Sequence, residues 1–330
     1  MILLYLVQNR LFLQTPFRIV HNVTFQCNCR CQICERWKRS AKHTTDMSKE
    51  KIFTMLEDAK QAGVLFYVAM GGEPLLRKDL PDILRYAKKL GFVTSVVTNG
   101  YYLKERHAEI LPFTDMIVVS IDSNDELHDT LRGVKGIREK AIEGIKACKG
   151  GNTLLSIYSV ICTLNLEKID GLVKLSQDLD IPITFQPMDV YKGYNDHLRP
   201  SGAQLTNVFS KILTLKKAGH KISDSTQYIK YIQQQRSYVC HAPKSFIYIE
   251  ADGTIFSCKD ILDKPWGNVK DCSFKEIFHS DEFKEFCHQV ESCNLCSVAC
   301  VIEGSLAHSL DPLFIVQQAI ATHFSFMNVK

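Results

Sequence analysis

Between Thr24 and Trp37 the chain reads Thr-Phe-Gln-Cys27-Asn-Cys29-Arg-Cys31-Gln-Ile-Cys34-Glu-Arg-Trp, so Cys27, Cys31 and Cys34 stand at C-x3-C-x2-C. A loop this tight can turn three thiolates onto one metal centre. Soft thiolates select iron–sulfur clusters, zinc or copper(I). A cubane held by three cysteines keeps one iron open for an exogenous ligand, whereas a structural zinc site is closed by a fourth protein ligand. Cys29 lies two residues from both Cys27 and Cys31, too close to chelate comfortably beside them.

A second set of cysteines lies near the C-terminus: Cys240, Cys258, and then Cys293-x2-Cys296-x3-Cys300. Between them, Phe246–Glu250 and Thr254–Ser257 flank Asp252-Gly253, the pattern of a hairpin with Asp-Gly at its turn. A helix is expected from Phe274 to Cys287. Paired cysteines bracketing a hairpin also suit a zinc ribbon. Cys148 and Cys162 sit alone in apolar periodic segments and read as buried packing.

The elements that must position these groups alternate regularly. Strands are expected at 18–25, 64–70, 92–97, 116–121, 154–161 and 181–185. Helices follow them, from Ser48 as N-cap with Met47 and Ile52 as a hydrophobic staple, then at 80–90, 103–111, 137–149, 167–179 and 204–217. The run 64–70 is apolar throughout, as for a strand covered on both faces. Six strand–helix pairs argue an α/β parallel sheet with right-handed crossovers. The unusual residues fall just after successive strands, where barrel sites assemble, which favours a partial (β/α)6 barrel over an open sheet. A small cysteine-rich α+β module follows it. The expected divisions are an apolar extension over 1–15, the barrel over 16–220, the module over 235–303 and a helical tail over 304–330.

The tri-cysteine loop resembles the signature of the radical S-adenosylmethionine (radical SAM) superfamily. Gly71-Gly72-Glu73-Pro74 and Thr98-Asn99-Gly100 match that family at the expected places. The resemblance implies that Cys27, Cys31 and Cys34 hold a 4Fe–4S cluster whose open iron is chelated by SAM. Reductive cleavage of SAM then gives a 5′-deoxyadenosyl radical. Gly71, Gly72, Glu73 and Pro74 are implied to take the amino group of SAM. Ser120 and Asp122 are placed for a ribose, with a helix cap the other reading of Asp122. Arg132, in a His128–Gly133 segment similar to the family's auxiliary-cluster branch, suits the cofactor carboxylate, or else solvent. Asn165 and Gln186 are placed to line the adenosine. The segment 188–200, with Tyr191, Tyr194, Asn195, His197 and Arg199, follows the sixth strand and is expected to touch substrate, or else to be an ordinary surface loop.

The C-terminal cysteines resemble the SPASM/twitch module. That implies one auxiliary 4Fe–4S cluster held by Cys240, Cys258, Cys293 and Cys296, with Cys300 able to replace one of them. The longer two-cluster pattern is not met, and recruitment of Cys272 and Cys287 is not expected.

Charge is nearly balanced, 40 Lys+Arg against 36 Asp+Glu, which gives no case for nucleic acid as a partner. The apolar start 1–7 is far too short to span a bilayer and lacks the flanks of a secretory signal. A cytoplasmic location, with membrane contact at most peripheral, is expected. The implied function is hydrogen abstraction from a substrate C–H, with the auxiliary cluster carrying an electron away in a net oxidation. The substrate is a small molecule or a peptide, and the reductant an electron donor such as ferredoxin or flavodoxin. The rival activities are thioether or carbon–carbon crosslinking of a peptide, and modification of a lipid or isoprenoid. A non-catalytic iron–sulfur or zinc protein has no use for an open iron beside Gly-Gly-Glu-Pro.

Overall fold

The computed structural model describes residues 15–39, 45–258, 265–293 and 296–309. Strands and helices alternate through its first part: β1 (Arg18–Thr24), α1 (Lys49–Gln61), β2 (Phe66–Gly71), α2 (Leu80–Lys89), β3 (Val93–Thr98), α3 (Leu103–Ile110) and β4 (Met116–Ser120). Then come α4 (Leu127–Arg132), α5 (Ile137–Ala147), β5 (Leu154–Ile161), α6 (Ile169–Asp178), β6 (Ile183–Pro187), α7 (Gly202–Lys217) and α8 (Thr226–Gln234). The cysteine-rich part supplies β7 (Phe246–Ile249), β8 (Thr254–Phe256), β9 (Gly267–Asn268), α9 (Phe274–His279), α10 (Asp281–Gln289) and α11 (Ala299–His308). Local signals place several starts. Ser48 Oγ accepts from Lys51 N–H at the head of α1, and Ser201 and Gln204 form a reciprocal capping box at the head of α7.

All the strands form one sheet in the order β6-β5-β4-β3-β2-β1-β7-β8-β9. Strands β1 to β6 are parallel and sequential, as in the expected partial (β/α)6 barrel. The C-terminal hairpin continues the same sheet: β7 pairs parallel to β1 with Arg18 opposite Phe246, and β8 and β9 follow antiparallel.

Parallel register puts Ile19, Tyr67, Val96, Ile117, Ile157 and Ile183 in one outward layer under the helices. Each is 0% exposed. Burying such a side chain contributes about 1.5–3 kcal/mol, so this layer holds the barrel together. Alternate residues of the central strands β2 to β5, including Val68, Met70, Val97, Val118, Ser120 and Tyr158, are only half-buried, whereas Val20 and Asn22 on β1 and Gln186 on β6 are buried. The expectation of a strand covered on both faces over 64–70 therefore holds for one face only: Tyr67 and Ala69 are fully buried, while Val68 and Met70 on the other face are half-buried.

Two further differences are local. The single helix expected over 274–287 is two, α9 and α10. Ser280 is extended, and its Oγ caps α10 by accepting from Phe283 N–H. Helix α11 starts inside the cysteine string, and what was expected of 310–330 and 1–14 lies outside the described residues. Cys148 and Cys162 are buried in the core, as expected. Among the described residues no helix is long and apolar enough to cross a membrane.

Candidate active site at the barrel mouth

The cysteine loop leaves the C-terminal end of β1 and is tied down on two sides. Arg30 N–H donates to Arg132 C=O at 3.1 Å and Gln32 N–H to Leu131 C=O at 2.9 Å, so the loop lies along the end of α4. Gly133 makes this approach possible. Its φ is +67°, and a Cβ there would stand 2.8 Å from the Arg30 carbonyl oxygen. On the other side the Tyr194 hydroxyl donates to Cys31 C=O at 2.7 Å, and Asn195 Nδ2 donates to Ile33 C=O at 3.3 Å. The segment expected to touch substrate thus spends Tyr194 and Asn195 on holding the loop, while His197 and Arg199 are exposed.

Cys29 is buried among the other thiols, and Asn99 Nδ2 donates to its sulfur at 3.2 Å. Contact with Cys29 lowers the Cys31 thiol to about 7 against the opposing effect of burial, and the Arg132 cation lowers it further. Contact with Cys29 lowers Cys27 as well. The same contacts push the Cys29 thiol up, so Cys27 and Cys31 are the ones eased towards the thiolate that metal ligation needs.

Gly71 and Gly72 are demanded by crowding from the same loop. A Cβ on Gly71 (φ +134°) would lie 2.6 Å from the Thr24 carbonyl oxygen, and one on Gly72 would overlap the Gln26 carbonyl. Gly72 N–H donates to Thr24 C=O at 2.9 Å and Glu73 N–H to Gln26 C=O at 2.7 Å. Glu73 is 0% exposed. Its Oε1 accepts from Thr98 Oγ1 at 2.6 Å and Leu75 N–H at 3.0 Å, and its Oε2 from Asn99 N–H at 2.8 Å. Burial pushes the carboxyl up from its ordinary value, against those bonds and the nearby Arg132. Pro74 is buried and opens a short 3-10 turn that Glu73 caps.

Beyond β4, Asp122 is fully buried and does not cap a helix. Its Oδ2 accepts from Arg132 Nε at 2.7 Å and its Oδ1 from Val160 N–H at 2.9 Å. Burial opposes the Arg132 charge, but Asp122 and the thiols of Cys31 and Cys29 more than restore it. Asp122 N–H donates to His128 Nδ1 at 3.0 Å, and burial draws that imidazole down to about 4, so it stays neutral. Asn165 spends its amide inside the fold, donating to Asp122 C=O and Val160 C=O and accepting from Cys162 N–H. Ser120 is half-buried on the lumen face.

One orphan tests whether an iron–sulfur cluster suits this loop. Asn28, between Cys27 and Cys29, is fixed through Oδ1 by Asn99 Nδ2 at 2.8 Å. Among the described residues its own buried Nδ2 has no acceptor. Cluster sulfides accept such N–H groups. Three thiols on one loop and an unspent amide donor among them fit a cubane.

In the C-terminal part, Cys240 has Cys293 and Cys258 as electrostatic neighbours, and Cys296 has Cys240 and Cys258. Burial pushes the Cys296 thiol up to about 12, and its sulfur meets the Tyr238 hydroxyl at 3.2 Å. Cys300, on α11, lies near Tyr158 and Tyr228. Cys272 donates to Asn268 C=O at 3.2 Å, and Cys287 is buried beside Lys244 and Glu291. Gln186 Oε1 accepts from the Tyr158 hydroxyl and, at 2.9 Å, from Ala299 N–H. Gln186 thus joins β6 to the head of α11.

Sequence reasoning missed Asn22, Arg36, Tyr158 and Glu250. Asn22 Nδ2 donates to Glu250 Oε2 at 2.8 Å, and Arg36 Nη1 donates to Asn22 Oδ1 at 2.9 Å. The signal was available in part, as Asn22 and Thr24 are polar alternate positions at the end of β1, where the strand meets the cysteine loop.

Comparison with known proteins agrees with this architecture. The radical SAM superfamily profile matches residues 21–176, and the SPASM profile, an iron–sulfur cluster-binding domain, matches 240–300. An Fe-coproporphyrin III synthase of Methanosarcina barkeri is 28% identical over 166 residues, covering 50% of this chain and 42% of that protein. An AdoMet-dependent heme synthase of the same organism is 24% identical over 322 residues, covering 89% and 92%. Among solved structures, Streptococcus suis SuiB bound to S-adenosylmethionine superposes with a TM-score of 0.69 at 17% identity, covering 87% of this chain and 72% of that one. Native anSMEcpe with bound AdoMet gives 0.64 at 16%, covering 92% and 100%. The chain therefore belongs to the radical SAM superfamily, an enzyme that takes a 4Fe–4S cluster with S-adenosylmethionine and has auxiliary iron–sulfur ligation in its SPASM domain.

Proposed function

We propose that this enzyme removes a hydrogen atom from an unactivated substrate C–H and passes the remaining electron to one auxiliary 4Fe–4S cluster, for a net oxidation. The cluster and SAM, when bound, supply the 5′-deoxyadenosyl radical. Cys27, Cys31 and Cys34 hold that cluster, with the Asn28 amide beside its sulfides. Gly71, Gly72, Glu73 and Pro74, with Thr98 and Asn99, shape the pocket for the amino end of SAM, and Ser120, Asp122 and Arg132 the side beyond β4. Cys240, Cys258, Cys293 and Cys296 hold the acceptor cluster, and a carrier such as ferredoxin or flavodoxin supplies the reducing electron.

One observation carries this reading: the cysteine module bridges both edges of the six-stranded sheet. Its hairpin pairs with β1, while Ala299 N–H binds Gln186 on β6 and the Tyr228 hydroxyl donates to Ser297 C=O at 3.2 Å. A module seated across the gap of a partial barrel closes the lumen against water and sets an electron acceptor at its wall. The test is to incubate reduced protein with candidate substrates and follow 5′-deoxyadenosine. Folded Cys258→Ala or Cys296→Ala protein should still cleave SAM but release no oxidised product. Full turnover by a folded variant lacking the second cluster would refute the acceptor role.

The near full-length match to a heme synthase favours a carboxylate-bearing tetrapyrrole as substrate. A peptide is the second reading.

A further inference from the structure

We propose that Arg36 anchors a carboxylate of the substrate at the mouth of the lumen. Arg36 opens a single helical turn two residues beyond Cys34, the last cysteine of the loop. Asn22, at the end of β1, holds it by one bond: Nη1 donates to Asn22 Oδ1 at 2.9 Å, while Asn22 Nδ2 donates to Glu250 Oε2 at 2.8 Å. The amide therefore stands between cation and anion, fixing each and keeping them from pairing directly.

Among the described residues, this is the one hydrogen bond the Arg36 guanidinium makes, and no carboxylate forms an ion pair with it. Burial works against this guanidinium, and the charges near it support it without closing a direct pair, which leaves its fork open to a further anion. Its planar fork matches a carboxylate bidentately, and most of that fork is unspent. The groups whose charges act on it are Tyr191, Cys34, Glu250 and Tyr248. Glu250 repels an incoming anion, which directs the ligand to the guanidinium edge away from Asn22.

SAM also carries a carboxylate, but position favours the substrate. Arg36 hangs from β1 and β7, with Tyr191 following β6. The residues proposed for the cofactor lie at the ends of β2 to β5 instead. A carboxylate held at Arg36 would bring the carbon chain behind it beside Cys34, one of the three residues that would hold the cluster. The inference rests on the proposed function in treating the lumen as the substrate site.

The test uses the reconstituted full chain and two probes, coproporphyrin III and a glutamate-rich peptide, each as free acid and as methyl ester. The expected result is that wild type binds at least one acid at least tenfold more tightly than its ester. Arg36→Gln should abolish that preference while SAM affinity and iron content stay unchanged. Arg36→Lys, which keeps a point charge without the fork, should retain part of it, and it carries the test if Arg36→Gln fails to fold. Three results would overturn the proposal: no acid preference in wild type for either probe, a preference that survives Arg36→Gln, or a loss confined to SAM affinity. Failure of the proposed reaction is read separately, from 5′-deoxyadenosine formation in wild type.

Discussion

The Thr98 hydroxyl donates a 2.6 Å hydrogen bond to Glu73 Oε1, and the two residues are 2% and 0% exposed. This bond ties the end of β2 to the end of β3 directly beneath the cysteine loop. Glu73 thus acts on the pocket partly as a strut. Thr98→Val should cost about 1–3 kcal/mol of stability, the usual penalty for a buried acceptor deprived of its donor. Glu73→Ala strands three donors at once and should lose more, together with at least tenfold in SAM affinity. Denaturant unfolding and SAM titration of the two variants check this. Equal SAM affinity in all three proteins would remove Glu73 from the pocket.

Asp122 and Arg132 form a buried pair whose cation also faces Cys31. Removing one partner of such a pair typically costs about 3–5 kcal/mol. Arg132→Gln should therefore melt lower than wild type. It should also raise the Cys31 thiol and take up iron at the first cluster more slowly at neutral pH. Iron uptake followed by absorbance at pH 7 and pH 8.5 reads the second effect, and the gap should narrow at the higher pH.

Glu303 on α11 is a pH-dependent element. Burial raises its carboxyl to about 7, while its bonds to Ser225 and the Lys216 cation act the other way. A carboxyl raised in the folded state contributes stability fully below its unfolded value and loses it as pH rises through the folded value. The window here runs from the ordinary carboxyl range up to about 7. Stability should fall by about 1 kcal/mol more between pH 6 and pH 8 in wild type than in Glu303→Gln. Anaerobic urea unfolding at the two pH values measures it, and identical slopes would contradict the assignment.

Gly72→Ala places a methyl group on the Gln26 carbonyl, and backbone cannot yield as a flexible side chain does. Overpacking of this kind costs about 1–3 kcal/mol or more. The displaced strand is the one feeding Cys27, so iron retention should drop along with stability. Gly151→Ala, at a site with open space around it and no left-handed backbone to strain, is the control for alanine alone.

Anaerobically reconstituted protein should hold about eight irons, as two cubanes. Changing Cys27, Cys31 and Cys34 together to Ala should leave about half of that and no SAM cleavage. Stoichiometric zinc without iron–sulfur charge-transfer absorbance would overturn both cluster assignments.

The thiolate loop alone left iron–sulfur, zinc and copper(I) open, and its resemblance to the radical SAM signature made the first cofactor legible. C-x3-C-x2-C and Gly-Gly-Glu-Pro are short stretches whose function depends on neighbours in the chain. The six strand–helix pairs were legible too, because apolar periodicity records which face each element buries. The break at Ser280 was written there too but passed over: Phe274, Ile277 and Phe278 fall on the opposite helical phase from Phe283, Phe286 and Cys287, and Ser280 before Asp281-Glu282 is an N-cap signal.

What tertiary structure alone decided lies in contacts between residues far apart in sequence. Asn22 and Glu250 meet because β7 joins the edge of β1. No periodicity specifies which edge a later hairpin will take, since any exposed parallel edge offers the same backbone donors and acceptors. Likewise Asn165 and Gln186, read as adenosine-lining residues, spend amide groups on the fold itself. Type and position after a strand put them at the mouth. Which partner each polar atom found was settled by burial, because an amide taken out of water bonds to whatever the packed chain presents.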